Sequence, residues 1–153
     1  MQAVLQRVKR AEVSVDGEIK GRCGNGFFIL LGVFEGDVRE DADLLCEKIA
    51  KLRVFEDENG KMNRSINDVG GSTLIISQFT LCANYVHGNR PDFLSAAKPE
   101  TANELYEYFS ARMRTLVEQG VQNGVFGADM QIEALCDGPV TIVMDSNKLK
   151  KKK

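Results

Sequence analysis

Apolar and polar residues alternate from the first positions of the chain. Ala3 to Val8 reads as a strand, and Ala11, Val13 and Val15 alternate with Glu12 and Ser14 as in a half-buried strand. Asp16-Gly17 supplies a tight turn, and Glu18 to Arg22 returns as a short strand. Phe27 to Phe34 is almost continuously apolar, the pattern of a strand covered on both faces. The period then changes. Leu45, Ile49 and Leu52 fall at i, i+4 and i+7, which predicts a helix from about Val38 to Leu52, with Asp37 as N-cap and Glu40 three residues on.

Arg53-Val54-Phe55 is a short extended piece that ends in the turn Asp57-Glu58-Asn59-Gly60, and Lys61 to Gly71 reads as loop. Ser72 to Leu81 is the expected central strand. Cys82 to Lys98 has no period; an aperiodic segment of this length inside a compact domain is usually functional. Pro99 is suited to start a second helix whose apolar face is Leu105, Phe109, Met113, Leu116 and Val117, with Gly120 ending it. Three strands follow, near Val121 to Phe126, Gln131 to Cys136 and Val140 to Met144. The order β-β-β-α-β-α-β-β-β predicts a single α/β domain of mixed β layers carrying two main helices.

Composition narrows the function classes. At 153 residues the chain is one domain by size, and 43% apolar with 27% charged residues is the balance of a soluble globular protein. The alternating N-terminus has no signal-peptide block, so the expected location is cytoplasmic. The four cysteines lack C-x-x-C spacing and His87 is the only histidine, which excludes a His-rich metal site; neither metal nor cofactor is expected. Five lysines, Lys148 and Lys150 to Lys153, follow Asn147. Without them 15 basic residues face 22 acidic ones, a net −7 for the body. A body so acidic is a poor match for a protein that grips a long nucleic-acid backbone, because that affinity comes from neutralising many phosphates.

Chemistry concentrates in two strings. Ser77-Gln78-Phe79-Thr80-Leu81 ends the apolar run Leu74-Ile75-Ile76 with two hydroxyls and an amide, groups that orient a polar substrate. If the strand bends there, freed backbone N–H groups can bind a carbonyl oxygen. No general base lies in the string, and Thr80 as nucleophile would need an activating group that the sequence does not display. Asp137-Gly138-Pro139-Val140-Thr141 places Gly-Pro between two β-rich stretches, where it fixes the backbone.

The two strings, in this order, resemble the hallmark motifs SQFTL and NxGPVT of the D-aminoacyl-tRNA deacylases. The resemblance runs from residue 1 to about Ser146 and includes Gln6-Arg7-Val8, Gly60-Lys61-Met62-Asn63, Asp68-Val69-Gly70-Gly71, Gly88-Asn89-Arg90-Pro91 and Phe126-Gly127-Ala128-Asp129-Met130. It implies a deacylase domain over 1–146, layered α/β/β, followed by a lysine tail over 147–153 that is expected to be disordered. It implies hydrolysis of the ester between a D-amino acid, or glycine, and the 3′-terminal ribose of tRNA. On that reading Ser77, Gln78, Phe79 and Thr80 are the catalytic residues: Ser77 and Thr80 position substrate, Gln78 orients the scissile end, and backbone N–H groups near Phe79 polarise the carbonyl. Gly138, Pro139, Arg7 and Met130 are the substrate-binding residues.

The resemblance further implies a homodimer in which a cis Gly138-Pro139 enters the partner's active site and rejects L substrates, with Arg7 bracing it. Thr80 is nucleophile on one reading of the family; on the other the ribose 2′-hydroxyl helps to activate water. One position departs from the motif: Cys136 stands where the family has Asn, and a thiol is a weak hydrogen-bonding group. The runner-up reading is a non-catalytic module that binds the 3′ end of a nucleic acid. A general ester hydrolase lacks both the Gly-x-Ser-x-Gly elbow and a triad.

Overall fold

The computed structural model describes residues 1–151. Eight strands and two helices follow in the order β1 (Gln2–Val15), β2 (Glu18–Cys23), β3 (Gly26–Gly32), α1 (Arg39–Lys51), β4 (Phe55–Glu56), β5 (Met62–Arg64), β6 (Ser72–Ser77), α2 (Pro99–Leu116), β7 (Val121–Asn123) and β8 (Gln131–Asp145). Six strands form one mixed sheet, β2-β1-β3-β6-β7, with β8 added on β1; β4 and β5 pair separately. The single-domain α/β class with two helices is as the sequence pattern predicts.

Long β1 organises the sheet. Its first half pairs antiparallel with β3, Gln2 to Val8 opposite Gly32 to Gly26. Its second half pairs with β2, Ala11 opposite Cys23, and β8 runs along its whole other edge. The predicted break between Val8 and Ala11 is therefore no break. The β1–β8 register shifts between Gln6 and Val8 and again between Val8 and Arg10. These irregularities change which residues point inward. Ala3 and Leu5 serve a core beneath the helices, whereas Val8, Ala11 and Val13 serve a second core with Cys23, Phe28, Leu74 and Ile76. Across that second core β2 is tied to β6 and β7: Gly24 N–H donates to Ser72 Oγ at 3.2 Å and Arg22 N–H to Gln122 Oε1 at 2.8 Å.

Both helices lie on the larger core. Leu45, Cys46 and Ile49 of α1 and Phe109 and Met113 of α2 are fully buried there, and each such side chain contributes about 1.5–3 kcal/mol by leaving water. The α1 cap is displaced by one residue from the sequence reading. Val38 is the N-cap, and Asp41 reaches back to accept its N–H at 2.9 Å; Asp37 instead accepts Phe34 N–H at 2.7 Å. Helix α2 starts at Pro99 as expected and is capped at Val117, ahead of Gly120. Lys61 to Gly71, read as loop, contains β5.

Three further differences bear on the site. Strand β6 stops at Ser77, and Phe79–Cys82 turns into a 3-10 helix, so Ser77 to Thr80 do not alternate across a strand. The last two predicted strands merge into one 15-residue strand, β8. The region read as a tail begins with a 3-10 turn, Ser146–Lys148; Leu149 packs on the helix-side core and Lys150 Nζ lies 3.0 Å from Asp41 Oδ1. The expected disorder of Lys152 and Lys153 lies outside the described residues.

Candidate active site

The turn after β6 is seated by its neighbours. Gln78 N–H continues the sheet by donating to Leu31 O at 2.8 Å, and the chain then tightens, with Leu81 N–H on Gln78 O and Ala83 N–H on Thr80 O. Phe79 and Thr80 open the 3-10 helix, so their N–H groups have no acceptor within it. Beneath the turn lies Gly32. A Cβ there would stand 2.8 Å from Leu81 Cβ, closer than packing allows, so a side-chain-free residue is what lets the turn approach β3. Behind it, Tyr106 OH donates to Ile75 O at 2.7 Å and receives Asn123 Nδ2 at 2.9 Å, which ties α2 and β7 to the strand that delivers the turn. Burial pushes the Tyr106 phenol up, so it stays a neutral donor.

A cavity of about 640 Å³ opens at this turn. Ser77, Gln78 and Phe79 form one side. Phe93 and the Ala96 to Pro99 stretch form a second, and Phe126 to Ala128 with Met130 close the third. The Phe79 and Phe93 rings meet edge to face, 5.0 Å between centroids. Met130 fits because residue 124 is glycine: a Cβ there would lie 2.6 Å from the Met130 sulfur. The wall is mostly apolar, and among the described residues Lys98 is its only ionisable side chain. Thr80 is not part of the wall. It is exposed, and its Oγ1 accepts a hydrogen bond from Gln78 Nε2. Among the described residues no carboxylate, imidazole or thiol faces the cavity, and His87 lies on an exposed loop outside it. The chemistry offered is a mostly apolar slot, a turn beside it whose first two N–H groups have no acceptor in the 3-10 helix, and the Gln78–Thr80 amide–hydroxyl pair. That suits a planar group and an acyl carbon more than proton transfer by a side chain.

Arg7, Gly138 and Pro139 lie elsewhere in the chain. Gln6 pairs with Thr141 and Val8 with Cys136, so Asp137 to Val140 bulge out of the β1–β8 ladder opposite Arg7. The buried Arg7 guanidinium donates from Nη1 to Val54 O at 2.7 Å and from Nε to Asp137 O at 3.1 Å. The Gly138-Pro139 bond is cis, as the resemblance implies. Cys136 is exposed. Within the chain, then, Ser77, Gln78, Phe79 and Met130 come together at the cavity, Thr80 stands beside them, and the Gly-Pro bulge does not reach it.

Phe93, Lys98 and Phe126 are cavity residues that sequence reasoning did not assign. The aperiodic stretch Cys82 to Lys98 was the available signal for the first two, and the string Phe126 to Met130 for the third.

The family model for D-Tyr-tRNA(Tyr) deacylase matches residues 4–145. The chain belongs to that family. It is 53% identical over 151 residues to the D-aminoacyl-tRNA deacylase of Anaeromyxobacter dehalogenans, covering 97% of this chain and 99% of that protein. It is likewise 53% identical over 149 residues to the D-aminoacyl-tRNA deacylase of Thermus aquaticus, covering 96% of each. Among solved structures it is similar to the c-Myc DNA Unwinding Element Binding Protein, with a TM-score of 0.89 and 41% identity over 95% of this chain and 98% of that one. A probable eukaryotic D-amino acid tRNA deacylase has the same fold, with a TM-score of 0.81 at 16% identity over 94% of this chain and 98% of that one. No helix among the described residues is long and apolar enough to cross a membrane.

Proposed function

We propose that this protein hydrolyses the ester between a D-amino acid and the 3′-terminal ribose of tRNA. The observation that carries the reading is the cavity at Ser77, Gln78 and Phe79, beside a turn whose Phe79 and Thr80 N–H groups have no acceptor in the 3-10 helix, with no carboxylate, imidazole or thiol among the described residues of its wall. Family membership points to the same ester. The terminal adenosine occupies the apolar slot, and the acyl carbonyl oxygen meets the Phe79 and Thr80 amides. Ser77 and Thr80 position the substrate and Gln78 orients the scissile end. Water adds to the acyl carbon. The carbon–oxygen bond to the ribose then breaks, and the ribose oxygen leaves with a proton. With no carboxylate, imidazole or thiol in the wall, the ribose 2′-hydroxyl is the group at hand to help activate that water.

Chiral choice is the second part of the reading. Two copies form a homodimer, and Gly138-Pro139 of each enters the other's cavity, crowding the place of an L side chain while Met130 lines the opposite wall. Glycine has no side chain to reject, so glycyl-tRNA is also cleaved. The exposed apolar residues Ile132, Leu135 and Val143 along β8 support such pairing. The catalytic unit is residues 1–146, working in the cytoplasm. The competing reading, a non-catalytic module for a nucleic-acid 3′ end, makes the same use of the cavity without turnover.

Release of amino acid from matched D-tyrosyl-tRNA and L-tyrosyl-tRNA separates these readings. Loss of the D ester with the L ester spared is expected. Cleavage of neither ester above the enzyme-free rate leaves the binding module, and cleavage of both removes the chiral filter.

A further inference from the structure

Beside the cavity stands a small hairpin whose tip is exposed. Asn84 and Asp92 exchange two backbone hydrogen bonds, both 2.8 Å, and pinch Tyr85 to Pro91 into a protruding loop. Asn84 Oδ1 accepts Val86 N–H at 3.1 Å and stiffens the rising side. The hairpin adjoins the site, because Phe93, next to Asp92, forms the cavity wall and packs on Phe79. Tyr85 is 75% exposed and Val86 77%. The loop contains Arg90 and His87 and no acidic residue, in a body whose charge without the lysine tail is −7. Among the described residues neither Arg90 nor Lys98, on the adjoining wall, is ion-paired.

We propose that this hairpin tip, through Tyr85 and Arg90, receives the unpaired nucleotides that precede the terminal adenosine of the tRNA. The inference rests on the aminoacyl-tRNA reading above. A substrate whose last nucleotide fills the cavity must carry its remaining chain out across the cavity's rim. An exposed aromatic ring gives a following base a stacking face, and an unpaired guanidinium meets a phosphate. Both are supplied by a body that is net acidic without its lysine tail. A second copy of this chain is the other occupant that exposed Tyr85 and Val86 could take, and the test includes it.

The test compares two substrates of the full-length protein: D-tyrosyl-tRNA, and D-tyrosyl-adenosine, which has the ester but no preceding nucleotides. Tyr85→Ala and Arg90→Ala are expected to lower kcat/KM on the tRNA about tenfold, chiefly through KM, and to leave the small ester unchanged. Arg90→Ala should also flatten the slope of log kcat/KM against log salt by about 0.7, the share of one phosphate contact, whereas Tyr85→Ala should not. Arg90→Lys should restore most of the loss. Equal losses on both substrates, or no loss on the tRNA, overturn the proposal. So does conversion of either variant to a smaller particle by light scattering, which would make the tip a self-contact. If the wild type cleaves neither substrate, the aminoacyl-tRNA reading has failed and the proposal falls with it. If it cleaves both and the variants behave as wild type, only the hairpin proposal fails.

Discussion

Arg7 sits opposite the bulge of β8 and holds the carbonyl of Asp137 at 3.1 Å, one residue before Gly138-Pro139. The same guanidinium holds Val54 O at 2.7 Å, so the bulge is fastened to the connection after α1. Asp137 Oδ2, at 3.5 Å, and the exposed Glu56, at 3.9 Å, add weaker attraction.

Removing that brace should cost stability and chiral choice together. Arg7→Met leaves two carbonyls without their charged donor, and is expected to lower the unfolding free energy by about 2–3 kcal/mol in urea titrations. It should also raise L-ester cleavage relative to D. Cys136→Ala is the control: its thiol is exposed and makes no hydrogen bond among the described residues, so the D/L ratio should stay within about twofold. A Cys136→Ala variant that loses discrimination would move the brace from Arg7 to the thiol.

Gly32 is the floor of the turn after β6. Gly32→Ala drives a methyl against Leu81 Cβ and toward Gln78 O, 3.3 Å from the new carbon, so the turn must lift. The expected cost is about 1–3 kcal/mol of stability. A misplaced donor pair should lower kcat at least tenfold. Wild-type kcat in a folded Gly32→Ala protein would show that the seating of the turn is irrelevant to turnover.

Thr80 faces Gln78 and no base. Thr80→Ala should therefore keep kcat within about tenfold of wild type, since it loses positioning rather than a nucleophile. Single-turnover rates on D-tyrosyl-tRNA decide this, and a loss near a thousandfold or more would restore Thr80 as the attacking group.

Asp41 links the start of α1 to the segment after β8. Burial pushes its carboxyl up. The Val38 N–H, the Ser146 hydroxyl at 2.7 Å and the Lys150 ammonium together outweigh that and hold it below the usual carboxylate range. A carboxyl with a depressed folded-state pKa favours the fold above its unfolded pKa of about 3.9 and loses that contribution as pH falls through the folded value. Wild-type stability is thus expected to decline below about pH 4 more steeply than that of Asp41→Asn. At pH 7 Asp41→Asn should be less stable by about 1–3 kcal/mol. Thermal melts from pH 2 to 7 test both statements; parallel curves would show that Asp41 does not set the acid limb.

The sequence by itself determined the elements and the site strings, because both are written in local order. Period-two stretches before Gly32, the i, i+4, i+7 rows at Leu45 and Phe109, and Pro99 at a helix start need only neighbouring residues to be read. Ser77, Gln78, Phe79 and Met130 were legible as motif positions, and the structure brings them to one cavity. Three features depended on residues far apart in the chain. The joining of two short β stretches into β8 follows from β1 offering one unbroken edge, with Arg7 able to hold the intervening bulge. The end of β6 at Ser77 follows from Gly32, more than forty positions earlier, leaving room for a tight turn. Phe93, Lys98 and Phe126 became cavity walls because α2 and β7 dock on the sheet beside that turn. No period along the chain encodes such a meeting of distant surfaces.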